Sequence, residues 1–150
     1  MSYLLDTHCW LWLASEPGRI SPSVLARLEN PAAARLISTA VVWEIAIKHG
    51  LGKLRLPAAP EELVPELVEV QRAAVLPIEL AHVLQVSRLP HHHRDPFDRI
   101  LVAQAQIERA VLVTADRKLA PYDVEILWAD ELPAADLHES PAAYDGARPD

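Results

Sequence analysis

The arrangement of apolar residues is the feature that most limits how this chain can fold. Five short apolar runs alternate with stretches in which apolar residues recur at helical spacing. The clearest run, 110–114, is apolar up to its final threonine, which is typical of a strand covered on both faces. The other predicted strands cover 3–5, 34–38, 75–78 and 124–128.

Helical periodicity fills most of the intervals between these strands. Helices are predicted after Ser21 and over 40–49, 61–74, 79–88 and 96–109. Strands that alternate with helices need right-handed crossovers and form a parallel sheet with helices on both faces. The sequence therefore predicts an α/β fold: a three-layer α/β/α sandwich with a central, mainly parallel sheet of four to five short strands.

Length and charge define the expected domain. The chain has 150 residues, of which 51% are apolar, so one globular domain can bury a core. The net charge of −7 argues against a general binder of polyanions, but eight acidic residues and one basic residue lie in 123–150, which leaves 1–122 neutral. We predict a domain over 1–132 and an acidic, Pro/Ala-rich tail over 133–150 that is poorly ordered.

The remaining composition narrows the class of protein. Cys9 is the single cysteine, which excludes an intramolecular disulfide and a cysteine-based zinc site. No 18-residue apolar window exists, and Asp6 interrupts the first apolar run, so we expect a cytoplasmic protein without a signal peptide or membrane segment. Residues 91–93 are all histidine, and we expect them in an exposed loop rather than at a transition-metal site.

Four acidic residues occupy equivalent places in the predicted fold. Asp6 ends the first strand, Glu44 lies one turn into the helix after the second, Asp98 lies in the first turn of its helix, and Asp116 follows the strand at 110–114. In a parallel α/β sheet, the carboxyl ends of the strands share one edge, and ligands bind there. The sequence therefore predicts that these carboxylates converge on one crevice.

Each acidic residue also has a purely structural explanation. Asp6 and Asp116 are suited to capping helices, as Asp95 is for the helix that follows it, and Glu44 is spaced to pair with Lys48. Glu44, however, lies among apolar neighbours and too deep in its helix to be a cap. Two carboxylates about 4 Å apart repel by roughly 4 kcal/mol at an effective dielectric near 20. Converged carboxylates therefore need a cation or raised pKa values.

Oxygen ligands of this kind select a hard divalent ion, Mg²⁺ or Mn²⁺. An ion held by few carboxylates keeps several waters, one of which can attack a phosphate whose charge the ion stabilises. The implied chemistry is hydrolysis of a phosphate ester. No phosphate-binding loop of the Gly-x-x-x-x-Gly-Lys type is present in the sequence, which excludes nucleotide hydrolysis of that kind.

Each acidic residue lies in a distinctive sequence block. The four blocks are Leu4-Leu5-Asp6-Thr7-His8, Trp43-Glu44-Ile45-Ala46-Ile47-Lys48, His93-Arg94-Asp95-Pro96-Phe97-Asp98-Arg99 and Val113-Thr114-Ala115-Asp116. In this order they resemble the blocks of the PIN-domain family, in its branch of VapC-type toxins. The resemblance extends from about Tyr3 to Trp128. It implies a Mg²⁺-dependent ribonuclease, with Mn²⁺ as a substitute, that is the toxin of a bacterial type II toxin–antitoxin system.

The resemblance also assigns residues and partners. It places the metal site and catalysis on Asp6, Glu44, Asp98 and Asp116. Asp95 matches a further acid that either reaches the metal or only caps its helix, while Thr7 and Thr114 match supporting hydroxyl positions. Members of the family form homodimers and are inhibited by a small antitoxin protein, so both partners are expected here.

An RNA substrate must be attracted despite the acidic site. Lys48, Arg94, Arg99 and Arg117 lie near the acidic segments in sequence, and we predict that they form a basic rim, with Arg99 and Arg117 the best candidates. An ordinary solvated surface is the alternative. Two other functions stay open: a metal-dependent small-molecule phosphatase, and a non-catalytic binding module with a PIN fold.

Overall fold

The computed structural model describes residues 1–131, arranged as alternating strands and helices. The elements are β1 Ser2–Leu5, α1 Thr7–Ser15, α2 Pro22–Glu29, β2 Ala34–Ser38, α3 Thr39–Gly50, α4 Pro60–Val70, β3 Ala73–Leu76, α5 Leu80–Val86, α6 Pro96–Glu108, β4 Val111–Thr114 and β5 Ile126–Trp128. Short 3₁₀ helices cover Pro17–Arg19 and Arg117–Leu119. The tail predicted over 133–150 lies outside the described residues.

One sheet organises these elements. Its strands are all parallel, in the order β3-β2-β1-β4-β5, and helices flank it. In the register of the sheet, Leu4 of β1 pairs with Leu36 of β2 on one side and with Leu112 of β4 on the other. The predicted α/β sandwich with a parallel sheet is confirmed.

The central strands carry the core. Leu4, Leu5, Leu112 and Val113 have at most 1% of their surface exposed, so both faces of β1 and β4 are covered. Their continuous apolar sequence is explained by this two-sided burial. The covered strands fix where Asp6 and the residues after Thr114 emerge, at the carboxyl edge of the sheet.

The edge strand β3 behaves as its proline requires. It ends at Leu76, one residue before Pro77, and it pairs only with β2. The strand predicted over 75–78 therefore lies two residues earlier, at the edge of the sheet, and the helix predicted over 61–74 is too long. Helix α4 ends at Val70, and Arg72 adopts a left-handed backbone with φ of 52°, which turns the chain into β3.

Helix α1 was not among the predicted helices. Its sequence, Thr7–Ser15, is apolar on most sides rather than on one face, because residues such as Cys9 and Trp10 are buried between the sheet and its neighbours. Among residues 1–131, no helix combines the length and apolar character needed to cross a membrane.

Candidate metal centre

Asp6 is fixed at the junction of β1 and α1. Its carboxylate is 5% exposed and caps α1, with Oδ1 accepting a hydrogen bond from the backbone N–H of Cys9 at 2.8 Å. Its Oδ2 accepts a hydrogen bond from the hydroxyl of Thr114 at 2.6 Å. The capping function suggested by the sequence is therefore present, and the second oxygen is held toward β4.

Glu44 is held from two sides. Glu44 is buried, with 5% of its surface exposed. Its Oε1 accepts a hydrogen bond from the Thr7 hydroxyl at 2.5 Å, and its Oε2 accepts one from the Lys48 ammonium. The pKa of Lys48 is raised, chiefly by this hydrogen bond from its ammonium to the carboxylate. The pairing of Glu44 with Lys48, proposed as a structural explanation, is thus realised, and the salt bridge leaves the buried carboxylate paired.

Asp98 and Asp116 meet at a histidine. The Nε2 atom of His93 lies 2.9 Å from Oδ2 of Asp116 and 3.2 Å from Oδ2 of Asp98. One potential ligand atom from each of these residues lies within 4.8 Å of the others. These are two of the predicted site residues, together with one that the sequence analysis did not assign to the site.

The expectation of an exposed loop at 91–93 is therefore wrong for His93. His91 and His92 are exposed, but the side chain of His93 is only 10% exposed and points to the carboxylates. The sequence carried one signal, since a histidine two residues before the helix cap Asp95 can accept the cap's backbone N–H, and here it does at 3.0 Å.

Thr114 links the two halves of the site. Its hydroxyl donates to Oδ2 of Asp6 and accepts from the backbone N–H of Asp116 at 3.0 Å. A continuous path of hydrogen bonds therefore runs from Asp6 through Thr114 and Asp116 to His93, which also contacts Asp98. In the same region, Thr7, the residue after Asp6, donates a hydrogen bond from its hydroxyl to Glu44.

Electrostatics couple Asp98 to two of the other predicted site residues, Asp6 and Glu44. Burial, followed by repulsion from Asp95, raises the pKa of Asp98 to about 7, and the charges of Asp6 and Glu44 add to the rise. Burial alone would also raise the pKa of Asp116, but the hydrogen bonds from His93 and from the backbone N–H of Lys118 outweigh it and lower that pKa. The same crevice therefore holds one carboxyl that resists ionisation and one that ionises readily.

Asp95 lies beside this group but has a structural task. Its Oδ1 accepts a hydrogen bond from the backbone N–H of Phe97 at 2.9 Å and so caps α6. The capping alternative is realised. The charge of Asp95 still influences the site, because it raises the pKa of Asp98.

The donor set fits a divalent cation. Carboxylate oxygens of Asp98 and Asp116 lie close together, and the charges of Asp6 and Glu44 reach Asp98 strongly enough to raise its pKa. Burial is the largest cause of the raised pKa of Asp98, and a cation among these oxygens would offset both the burial of its charge and the repulsion from its neighbours. Ligands of this type suit Mg²⁺ or Mn²⁺ better than soft metals.

The predicted basic rim is only partly on the surface. Arg94 and Arg117 are exposed, and Arg117 lies over the ring of Trp128 at 4.2 Å while it pairs with Asp130 at 2.8 Å. Lys48 is half-buried against Glu44, as described above.

Arg99 corrects the prediction of the rim. It is 8% exposed, and its guanidinium donates to the carbonyl oxygens of Pro90 and Val86 and to the hydroxyl of Tyr122, at 2.9, 3.2 and 3.1 Å. A charged group with these buried partners is not available to a phosphate, so Arg99 is a structural residue. A sequence position next to Asp98 does not distinguish a surface arginine from a buried structural one, because neighbouring residues of a helix point in directions about 100° apart.

The fold and site together define an α/β protein with a carboxylate-lined crevice at the carboxyl edge of a parallel sheet. Comparison with protein families gives the class a name: residues 3–125 match the model of the PIN domain. The chain belongs to the PIN-domain family. No curated protein sequence matches it significantly.

Several solved structures share this fold at low sequence identity. VapBC2 from Rickettsia felis, bound to a DNA fragment of its promoter, is 16% identical, with a TM-score of 0.64 over 85% of this chain and 98% of that one. VapBC-1 from nontypeable Haemophilus influenzae is 18% identical, with a TM-score of 0.60 over 87% and 100% of the two chains. DNA-bound VapBC from Salmonella typhimurium is 18% identical, with a TM-score of 0.59 over 85% and 97%.

Proposed function

We propose that this chain is a Mg²⁺-dependent endoribonuclease, the toxin of a bacterial toxin–antitoxin pair that acts in the cytoplasm. The observation that carries the proposal is the meeting of Asp98 and Asp116, far apart in sequence, in a crevice where the charges of Asp6 and Glu44 also act. A pure binding module has no reason to gather mutually repelling groups, which favours a metal-dependent hydrolase.

Asp6, Asp98 and Asp116 would hold the ion, directly or through water. When bound, the divalent cation supplies a more acidic water molecule and stabilises negative charge on the phosphate. Glu44 orients the attacking water or accepts its proton, with Thr7 fixing one of its carboxylate oxygens. Displacement in line would leave a 5′-phosphate and a 3′-hydroxyl on the RNA.

The supporting hydroxyls set the directions of these carboxylates. Thr114 donates to Asp6 at 2.6 Å and orders Asp116 through its backbone N–H, so one side chain positions two proposed ligands. Because its hydroxyl proton is committed to Asp6, Thr114 is a positioning residue and not a proton donor to substrate.

RNA would approach over the exposed basic residues. Arg94 and Arg117 lie at the surface next to segments that carry the acidic residues, and Arg117 also covers the ring of Trp128. Guanidinium groups bind phosphate oxygens in two-pronged geometry and stack on bases. Lys48 would contribute when RNA competes with its salt bridge to Glu44.

An antitoxin partner is proposed from the structural neighbours. The three structures described above are of VapBC or VapBC2, two of them bound to DNA, and they share this chain's fold. We propose that a small antitoxin protein likewise binds and inhibits this chain.

A homodimer is proposed through the apolar face of α5. On α5 this face presents Val83 and the exposed residues Leu80 and Leu84. Val83 also lines a groove that is completed by Trp43 of α3 and Phe97 of α6. A twofold interface brings the same patch of two copies together. A groove next to exposed leucines is suited to it, because the leucines of each copy can pack into the groove of the other. Exposed apolar patches of this kind are typical of protein–protein interfaces, because contact with water is unfavourable for them.

The proposed function is tested with Asp6→Asn. Asparagine caps a helix as well as aspartate does, so the fold should be intact or slightly more stable, because repulsion is relieved. We expect cleavage of RNA in Mg²⁺ to fall by more than about 100-fold, because the loss of a metal ligand should lower activity more than the loss of a residue that only supports a ligand. Asp123→Asn, an exposed carboxylate remote from Asp6 in the fold, is the matched control and should cleave normally.

Four results would contradict the proposal or redirect it. Wild-type cleavage by Asp6→Asn, or full activity in excess chelator, would show that the metal assignment is wrong. Release of phosphate from small esters without cleavage of internal RNA linkages would identify a phosphatase. RNA binding without turnover would identify a binding module.

A further inference from the structure

We infer that His93 acts in the proposed metal centre as a fixed hydrogen-bond donor that positions Asp98 and Asp116, and that it is not a ligand of the ion. The inference rests on the proposed function, since it concerns the same site. Its basis is the arrangement of hydrogen bonds around the imidazole ring.

The partners of His93 fix where its proton lies. Nδ1 accepts the backbone N–H of Asp95 at 3.0 Å, so this nitrogen carries the lone pair. A ring that carries a lone pair on Nδ1 holds its N–H on Nε2. Nε2 faces only acceptors, the Oδ2 atoms of Asp116 at 2.9 Å and of Asp98 at 3.2 Å, as a donor would.

Metal binding by this ring would require a different arrangement. A histidine binds a metal through a nitrogen lone pair, so Nε2 would have to lose its proton to Nδ1. The N–H of Nδ1 and the backbone N–H of Asp95 would then face each other across 3.0 Å. The same backbone N–H belongs to the residue that caps α6, so moving it would disturb the start of that helix.

The loop that carries His93 is held in place by Arg99 and Tyr122. The hydroxyl of Tyr122 accepts the backbone N–H of His93 at 3.0 Å and the guanidinium of Arg99 at 3.1 Å. Arg99 also donates to the carbonyl oxygens of Pro90 and Val86, which lie before the histidine. The burial of Arg99 therefore has a consequence for the site, because it fixes the backbone from which His93 reaches the carboxylates.

A second histidine in the same fold shows the same pattern away from the site. Nδ1 of the fully buried His82 accepts the backbone N–H of Glu79 at 2.9 Å, and its Nε2 lies 2.9 Å from Oε1 of Glu108. There the ring joins α5 to α6 without any cluster of carboxylates. An imidazole fixed through Nδ1 and directed at a carboxylate through Nε2 is thus a positioning device in this molecule.

The device would prepare the site for a cation. One N–H between two carboxylate oxygens offsets part of their repulsion and keeps them at a separation from which both can reach an ion. Removing an outer partner of metal ligands lowers metal affinity by about 10–100-fold. Because a donor acts on the carboxylates and not on the ion, its loss should weaken binding of different divalent ions by the same factor.

The first test reads the tautomer in the metal-free wild-type protein. Long-range ¹H–¹⁵N NMR spectra of the imidazole distinguish a protonated Nε2 from a protonated Nδ1. We expect His93 to carry its proton on Nε2, and we expect the same of His82. A proton on Nδ1, or rapid exchange between both tautomers, would overturn the inference without any use of metal or activity.

The second test compares the affinities of two ions by calorimetry in wild type, His93→Ala and His91→Ala. We expect His93→Ala to lose about 10–100-fold for Mg²⁺ and for Co²⁺ alike, while the exposed control His91→Ala is unchanged. A much larger loss for Co²⁺, which prefers imidazole ligands, would show that His93 binds the ion. Unchanged or tighter binding in His93→Ala would also overturn the inference.

Pulsed electron paramagnetic resonance of Mn²⁺-loaded wild type gives an answer that does not depend on a variant folding. We expect no coupling from a directly bound ¹⁴N nucleus, and such a coupling would refute the donor role. Failure of the proposed function looks different: wild-type protein would then bind no divalent ion at all, whatever the tautomer of His93, and the purpose assigned to this histidine would fall with it.

Discussion

Asp98 is the residue whose charge depends most on its surroundings. Its carboxyl lies in the crevice with a pKa raised to about 7, first by burial and then by the charge of Asp95. Near neutral pH, Asp98 of the metal-free molecule is therefore partly protonated, where an ordinary carboxyl group would be ionised. Binding of a cation at this carboxylate would release that proton.

The raised pKa predicts a loss of stability as pH increases. Between the ordinary carboxyl pKa near 4 and about 7, the folded protein binds a proton at Asp98 that the unfolded chain has released, so the free energy of unfolding falls as pH rises. Asp98→Asn removes this slope. Metal-free Asp98→Asn should gain up to about 4 kcal/mol over wild type between pH 4 and 8.

Urea unfolding across that pH range measures the difference. Parallel stability curves for wild type and Asp98→Asn would contradict the raised pKa. Asp116 acts in the opposite sense, because its pKa is lowered: its contribution is present above the ordinary carboxyl pKa and is lost only as pH falls through the lowered value.

Arg99 and Arg117 should separate stability from binding. Arg99→Lys cannot reproduce a guanidinium fork that serves Pro90, Val86 and Tyr122, so we expect a loss of about 2–3 kcal/mol in the free energy of unfolding. Arg117→Lys, at an exposed position, should change stability by less than about 0.5 kcal/mol.

Affinity for RNA, unlike stability, is expected to depend on Arg117. Arg117→Gln should weaken RNA binding and reduce its salt dependence by about one phosphate contact. Thermal unfolding together with filter binding at several salt concentrations provides both readouts. An Arg99→Lys protein of wild-type stability would contradict the structural role given to this residue.

At the scale of elements, the start of α6 contributes both a helix cap and a residue of the proposed site. Asp95 caps the helix through the N–H of Phe97, and the following turn carries Asp98. The sequence left open whether Asp95 reaches a metal or only caps the helix. The structure realises the cap, and the substitution of this residue distinguishes a cap from a ligand.

Asp95→Asn should keep the cap, while Asp95→Ala should lose about 1 kcal/mol of stability. Both variants remove the charge that raises the pKa of Asp98, so both should lower that pKa. If Asp95 only caps the helix, Asp95→Asn should retain Mg²⁺ affinity within a few fold in calorimetry. A loss of binding comparable with that of Asp6→Asn would identify Asp95 as a ligand.

The positions of the strands were predictable to within a few residues, while some helices were not. Strand β2 covers Ala34–Ser38, as predicted, because β-branched and apolar residues there are flanked by a loop and a helix cap. Helix α1 was missed because its burial on several sides removes the one-sided apolar pattern by which helices are recognised. Helix α4 ends early because pairing with β2 takes Ala73–Leu76 into the sheet.

At the scale of the whole molecule, the apolar face of α5 is available for the proposed dimer. Leu80 is 73% exposed and Leu84 is 59% exposed, next to the groove lined by Trp43 and Phe97. These two aromatic residues neighbour Glu44 and Asp98 in sequence. A second copy on this face would therefore pack close to the helices that carry the site.

Leu84→Glu should convert the dimer into a monomer, because an interface that buries this face would have to desolvate the new charge. Val70→Glu is the matched control, since Val70 is 71% exposed at the end of α4 and does not line the groove. Sedimentation equilibrium of the two variants and wild type gives the molar mass. A wild-type monomer, or a dimer that persists in Leu84→Glu, would contradict this interface.

The sequence by itself determined the parallel α/β sandwich, and from it predicted which acidic residues lie at the carboxyl edge of the sheet. Continuously apolar strands such as the one at 110–114 are typically covered on both faces, and parallel strands place their carboxyl ends along one edge. Asp6 and Asp116 could therefore be assigned to that edge from their positions after strands.

Only the tertiary structure decided where the side chains of His93 and Arg99 lie and what they contact. Both lie in the block around Asp98, where sequence spacing favoured Arg99 as a surface residue and His93 as part of an exposed loop. The packing of the loop before α6 reverses this, since Tyr122, from a distant segment, receives hydrogen bonds from both residues. Contacts between segments so far apart depend on how the chain closes in space, and local periodicity carries no record of them.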